Sequence, residues 1–296
     1  MSGHQPYVTE PRPPQLHPMG IGEILDVAIK IYRRNAWTLF RIVLVVITPL
    51  SLLANIIVIS AVPAHVQSRV ELVGNQFLVV KTLSTAQWHT LIVGLAAAGV
   101  LSMIGYLIAT GAVYKAVAEA FLGGRPNWKS SLAFASRRAH SLLWVSVLGG
   151  LIVGIGWVLC FIPGIYLGVA FAVAIPAVMT EDVRGRRALG RSRRLVKGRW
   201  WRTLALLLLG ALLSIVLFYG VLLLERLVIS DAGPRTVVGV VLNVLTSTVL
   251  SALVIPFAAA YITVLYFDLR VRREAFDLQL LALEVGVDAA PLPPAT

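Results

Sequence analysis

The sequence predicts an all-α, polytopic membrane protein with six transmembrane helices and cytoplasmic interfacial amphipathic helices. Three observations lead there. Hydrophobic residues make up 58% of the 296-residue chain and charged residues only 14%, against roughly 25% charged in a soluble domain. Several uncharged stretches reach the roughly 20 residues that a helix needs to cross a hydrocarbon core. Lys and Arg alternate between the connecting segments, 22 on one set against 4 on the other. Backbone groups in lipid must pair within their own segment, so the apolar stretches are helical. The alternation of positive charge places both termini in the cytoplasm.

In chain order, residues 1–19 form a Pro-rich arm with Pro6, Pro11, Pro13, Pro14 and Pro18. The arm lacks the apolar core of a signal peptide and is expected to be disordered. Residues 20–283 form the membrane domain, and 284–296, with Pro291, Pro293 and Pro294, a second disordered tail. The six spans fall near 37–62, 91–114, 141–160, 164–180, 203–224 and 237–266. In the loop after the first, Val70–Val73 and Gln76–Val80 flank Gly74-Asn75. That pattern reads as a β-hairpin, or else as an irregular loop. Phe161-Ile162-Pro163-Gly164 predicts a tight turn between the third and fourth spans. The sixth span, 30 residues long, is expected to tilt or to kink at Pro256.

Three basic amphipathic segments precede the three pairs of spans. The first carries Ile21, Ile24, Leu25, Ala28, Ile31 and Tyr32 at helical spacing; the second Leu132, Ala135 and Ala139; the third Ala188, Leu189, Ser192, Leu195 and Val196. Each is expected to lie in the headgroup layer, apolar side down. Setting Leu25, Leu132 and Leu189 in register aligns Ala28, Ala135 and Ser192, and also Lys30, Arg137 and Arg194. The recurrence reads either as three parallel helix-hairpin repeats or as the pattern any basic segment shows before a span.

The net charge of +12 raises nucleic acid as a partner. Because the basic residues flank apolar spans, the positive-inside rule accounts for them instead, and no nucleic acid is expected. Arg outnumbers Lys 21 to 5, which suggests a GC-rich bacterial genome. The five histidines are scattered without metal-ligand spacing, and no glycine-rich phosphate loop is present, so no metal, cofactor or catalytic residue is expected. Cys160, the single cysteine, reads as a small buried hydrophobe. Gly150, Gly154, Gly164, Gly168 and Gly210 are candidate helix-packing positions, since small residues four apart let membrane helices approach closely. Asn243, Thr246, Ser247, Thr248 and Ser251 cluster in the last span. They either line a path or, the favoured reading, bond between helices. Beyond that span, Asp268/Arg272, Arg270/Glu274 and Arg273/Asp277 are i,i+4 pairs that support a helix running out into the cytoplasm, as an anchor or as a docking site for a protein partner. Arg186, Arg187, Arg191, Arg194, Lys197 and Arg199 are candidate contacts for anionic lipid, with Trp200 and Trp201 as interfacial anchors.

Three segments together resemble the glycerophosphoryl diester phosphodiesterase membrane domain, a family of bacterial membrane proteins. They are Gly20-Ile21-Gly22-Glu23-Ile24-Leu25-Asp26 with Tyr32-Arg33-Arg34-Asn35; Ala188-Leu189-Gly190-Arg191-Ser192 with Leu195-Val196-Lys197-Gly198-Arg199-Trp200-Trp201; and Tyr266 to Leu278. The resemblance covers most of residues 20–283 and implies a multi-pass protein of the bacterial plasma (inner) membrane. Some relatives add a soluble phosphodiesterase domain; about 30 residues follow the last span here, so no such activity is carried over. The chain is expected to be a non-catalytic scaffold or partner subunit with a basic cytoplasmic face. A transporter or lipid-handling protein is the alternative.

Overall fold

The computed structural model describes residues 17–62, 67–73, 76–181, 183–228 and 237–275. Most of the expected Pro-rich arm, the C-terminal tail, Gly74-Asn75 and Asp277 lie outside them. The elements run α1 (Ile21–Ala61), β1 (Gln67–Val73), β2 (Gln76–Thr82), α2 (Thr85–Phe121), α3 (Trp128–Arg137), α4 (Ala139–Leu159), α5 (Phe161–Phe171), α6 (Ala174–Thr180), α7 (Arg186–Val196), α8 (Trp200–Val228) and α9 (Val237–Glu274). Six helical stretches are long and apolar enough to cross a membrane: α1, α2, α4, the α5–α6 pair, α8 and α9. The protein is an all-α, multi-pass membrane protein. The strands β1 and β2 pair antiparallel with Val73 opposite Gln76, which is the expected hairpin.

The core is a bundle of α1, α2 and α9, with α8 packed along α9 and α3, α6 and α7 packed against the same bundle. Inside lipid there is no hydrophobic drive to bring helices together, so close packing and interhelical hydrogen bonds must do it. Small residues supply the closeness: Ala109, Ala112, Ala116 and Ala118 of α2 and Ala259 and Ala260 of α9 are buried in one core. Phe121 stacks on Phe267 at 4.8 Å, a contact of about 0.5–1.5 kcal/mol beyond area burial. Within the last-span polar cluster, Thr248 lies 3.2 Å from Thr48 of α1, and Ser247 donates to the Val244 carbonyl. These two residues thus serve helix-to-helix and local backbone bonding.

Several expectations are corrected. No separate interfacial helix exists at residues 21–34; α1 is one helix of 41 residues, about 62 Å long, which outreaches the bilayer core. The helices α3 and α7 are separate as expected, but their apolar faces turn to the protein, not to lipid: Ser131, Ala135, Ala188, Ser192 and Leu195 are all fully buried. The proposed register recurs in burial. Ala28, Ala135 and Ser192 are all at zero exposure, whereas Lys30, Arg137 and Arg194 are exposed. The turn between α4 and α5 is a single extended residue, Cys160, and that residue is exposed. Pro163 sits in the first turn of α5, where a missing N–H costs nothing. The helix α9 is one helix of 38 residues with Pro256 inside it, and its last turns, which end at Glu274, are packed against neighbouring elements.

The glycines divide. A Cβ on Gly210 would lie 2.6 Å from the Tyr261 ring, and one on Gly164 2.7 Å from the Trp157 ring, so both are packing sites. Gly168 is in ordinary contact with Val153. Gly150 and Gly154 meet nothing within 4 Å, so they do not serve packing within this chain.

Candidate functional site

Polar side chains converge where α6, α7, α8 and α9 end or begin. The helix α7 carries apolar residues on one face and arginines around the rest, and burying that face carries Arg191 inward. Arg191 fits between two carboxylates. Its guanidinium donates to Glu181 at 2.8 Å through Nε and Nη2, and to Glu274 through Nη1 and, at 2.7 Å, Nη2. Arg270 completes the group, 3.3 Å from Glu274 and 3.6 Å from Glu181. Two guanidinium and two carboxylate groups alternate, so the quartet is neutral. The Tyr266 hydroxyl donates to Glu181 and lies 2.9 Å from the Thr180 hydroxyl. The Glu274 hydrogen bond, offset by burial but reinforced by Glu181, holds the Arg191 proton still more firmly than in water.

Six residues before Glu274 along α9, Asp268 has no exposed side-chain surface. Its carboxylate accepts from the Met19 N–H at 2.9 Å, from Arg202 of α8 at 3.1 Å and from Arg272 at 2.9 Å and 3.0 Å. Arg202 and Arg272 also donate to the Met19 carbonyl. Met19 is therefore buried and held on both its polar groups, which corrects the expected arm at its inner end. A buried charge is tolerated only when paired and hydrogen-bonded, and Asp268 meets both conditions. Arg273 donates to the carbonyls of Arg194 and Lys197 at the C-terminal end of α7, and Arg199 donates to the Arg272 carbonyl. Carbonyls in the last turn of a helix have no partner inside it, so these arginines act as side-chain caps. Arg138 does the same for α6, donating to Val178 at 2.7 Å and Glu181 at 2.9 Å.

A second polar contact crosses the break between α5 and α6. The helix stops at Ala172 and Val173, four and three residues before Pro176, whose ring and missing N–H disrupt the preceding turn. The break frees backbone groups, and Ser192 of α7 takes two of them. Its hydroxyl donates to the Ala170 carbonyl at 2.8 Å and accepts from the Val173 N–H at 3.3 Å.

Of the six candidate lipid contacts, Arg191 is corrected outright, because both carboxylates it binds belong to this chain. Arg199 is half-buried and directed at the Arg272 backbone. Arg186, Arg187, Arg194 and Lys197 are exposed. The pairs Asp268/Arg272 and Arg270/Glu274 form as expected. Sequence reasoning missed Glu181, Arg138 and Arg202; each lies far along the chain from its partners, so local spacing carried no signal. Among the described residues no group of three His, Cys, Asp or Glu could hold a metal. The carboxylates of the network are matched by guanidinium groups, so the arrangement links helices and offers no unneutralised acid for proton transfer.

Residues 131–287, more than half of the chain, match the family described as Domain of unknown function (DUF8558). The chain belongs to this family. No curated protein matches it. No solved structure matches it either. The DUF8558 region contains all of the quartet and, from the Asp268 cluster, everything except Met19.

Proposed function

We propose that this DUF8558 protein is a non-catalytic scaffold of a bacterial plasma membrane, with cytoplasmic termini and an α7 face that holds anionic lipid headgroups. The observation that carries the reading is the division of the basic residues on α7 and on the parts of α8 and α9 that meet it. Arg191, Arg202, Arg270 and Arg272 are committed to carboxylates of the chain itself. Arg186, Arg187, Arg193, Arg194 and Lys197 are exposed. Near an anionic membrane each such residue gains about 1 kcal/mol, an effect screened over roughly 8 Å at physiological salt. Trp201, 77% exposed at the start of α8, suits an interfacial anchor. The 22-to-4 split of Lys and Arg supports the orientation.

The relationship to the glycerophosphoryl diester phosphodiesterase membrane domain belongs to the same reading. Its support is that the segments carrying the resemblance meet in space: Gly20 follows Met19 at the Asp268 cluster, and Arg191 binds Glu274. Native mass spectrometry of the full chain from phosphatidylglycerol–phosphatidylcholine nanodiscs tests the lipid contact. Replacing Arg186, Arg187, Arg194 and Lys197 together with Gln should reduce retained phosphatidylglycerol several-fold and leave the melting temperature unchanged. Undiminished retention would refute the reading. Solute or lipid flux through the protein in proteoliposomes would favour a transporter instead.

A further inference from the structure

We propose that the α4–α5 hairpin does not cross the bilayer but dips into one leaflet from the side on which α7 lies, its tip buried among the acyl chains of that leaflet. The protein then crosses the membrane four times, through α1, α2, α8 and α9.

Length and composition alone allow α4 and the α5–α6 pair to span. What they pack against decides otherwise. The segment from Gly185 to Trp200 runs alongside the hairpin from its base toward its tip. At the base, the Gly185 N–H donates to Ser141, at 3.3 Å. At mid-length, Leu189 lies 3.2 Å from where a Gly149 Cβ would stand, and Ser192 binds Ala170 and Val173. Near the tip, the Trp200 indole N–H donates to the Tyr166 carbonyl at 3.3 Å, and the two rings stack at 5.9 Å.

That companion segment cannot be inside hydrocarbon. It bears exposed Arg186, Arg187, Arg193, Arg194 and Lys197. Even on the mildest scales a basic residue costs about 2.5–3.5 kcal/mol at the bilayer centre, so five together must stay at the headgroups. Trp200 is held at the same level by its neighbours, because Arg199 binds the Arg272 carbonyl and Arg202 binds Asp268, near the charged end of α9. Only five helical steps separate Tyr166 from Phe161, at the tip. At helical rise they amount to about 8 Å. With the reach of one indole added, the tip stops about midway through a hydrocarbon core of roughly 30 Å.

The tip is also built for acyl chains. Val158, Leu159, Phe161 and Ile162 are between 60% and 89% exposed, and Trp157 stands edge-on to Phe161. No Lys, Arg, Asp or Glu occurs from Ala139 to Thr180, so nothing in the hairpin requires water at its far end. The turn is tight, with a Gly156 Cβ position only 3.0 Å from the Gly164 nitrogen. Both ends of the hairpin emerge on one side under either topology, so the alternation of basic residues is unaffected.

Cys160, the only cysteine in the sequence, occupies the tip and is exposed, so the unaltered protein carries its own reporter. Two reference variants in a Cys160→Ser background, Ala86→Cys and Ala133→Cys, mark the two membrane faces at exposed positions. A membrane-impermeant maleimide should label Ala86→Cys from one side, Ala133→Cys from the other, and Cys160 from neither. A nitroxide attached to Cys160 before reconstitution into phosphatidylglycerol–phosphatidylethanolamine vesicles should collide several-fold more with oxygen than with a water-soluble nickel chelate. Labelling of Cys160 from the Ala86→Cys side would show a full crossing and overturn the proposal. Labelling from the Ala133→Cys side, or equal collision with nickel, would place the hairpin on the surface and overturn it too.

Discussion

Removing the Asp268 carboxylate should destabilise the fold by about 3 kcal/mol. Deleting one partner of a buried ion pair typically costs about 3–5 kcal/mol, because the surviving charge is left desolvated. Asp268→Ala leaves two guanidinium groups and the Met19 N–H without their acceptor. Arg202 and Arg272 keep 25% and 22% of their side-chain surface, so water reaches them and the lower end of that range applies. Asp268→Asn retains the shape and one acceptor oxygen but not the charge. Charge-assisted bonds are roughly twice as strong as neutral ones, so this variant should lose about half as much. At roughly 2–4 °C per kcal/mol, Asp268→Ala should melt about 6–12 °C below the parent protein in mild detergent, followed by fluorescence of its seven tryptophans. Hydrogen exchange gives the local test: amides from Met19 to Ile24 should lose protection in Asp268→Ala before those of α2 do. If Asp268→Ala melted with the parent, or Met19 stayed protected, the carboxylate would not be what holds the chain there.

Gly210→Ala should destabilise by about 1–3 kcal/mol through overpacking on the Tyr261 ring, and Tyr261→Leu should relieve most of it in the double variant. Gly150→Ala and Gly154→Ala face open space and should be neutral or stabilising by up to about 1 kcal/mol in the same melts. Ser192→Ala leaves the Ala170 carbonyl and Val173 N–H unpaired and should cost about 1–3 kcal/mol; unchanged stability would mean that the break satisfies itself. Arg191→Lys should fail to restore the stability lost in Arg191→Gln, because an ammonium lacks the planar fork that serves Glu181 and Glu274 together.

The parts of the fold readable in the sequence are those written at short range. Apolar runs mark the long helices, and the i,i+4 spacing gives Asp268/Arg272 and Arg270/Glu274. The shared register of Ala28, Ala135 and Ser192 was visible as an alignment before it was visible as burial. The destination of each face was not. An amphipathic helix presents the same pattern whether its apolar side meets lipid or protein, so α7 reads as interfacial although Leu195 and Val196 are buried in the core. Arg191 looks like its exposed neighbours because its partners stand 10 and 83 residues away. Gly150 and Gly154 stand four apart, as Gly210 and Ser214 do, yet of these three glycines only Gly210 is in close contact, since spacing does not say which face a second helix occupies.

The hold of Asp268 on Met19 joins positions 249 residues apart. A ribosome delivers Met19 long before Asp268, so this contact cannot form until α9 has been released into the membrane. The same helix packs against α1, α2 and α8, so until it arrives the paired α1 and α2 wait in the bilayer with one side uncovered. Synthesis that stops before α9 yields a product with an untethered leading end and polar groups on α7 and α8 without their acceptors. The docking of α9 is thereby registered at the other end of the described fold, by whether Met19 has found Asp268.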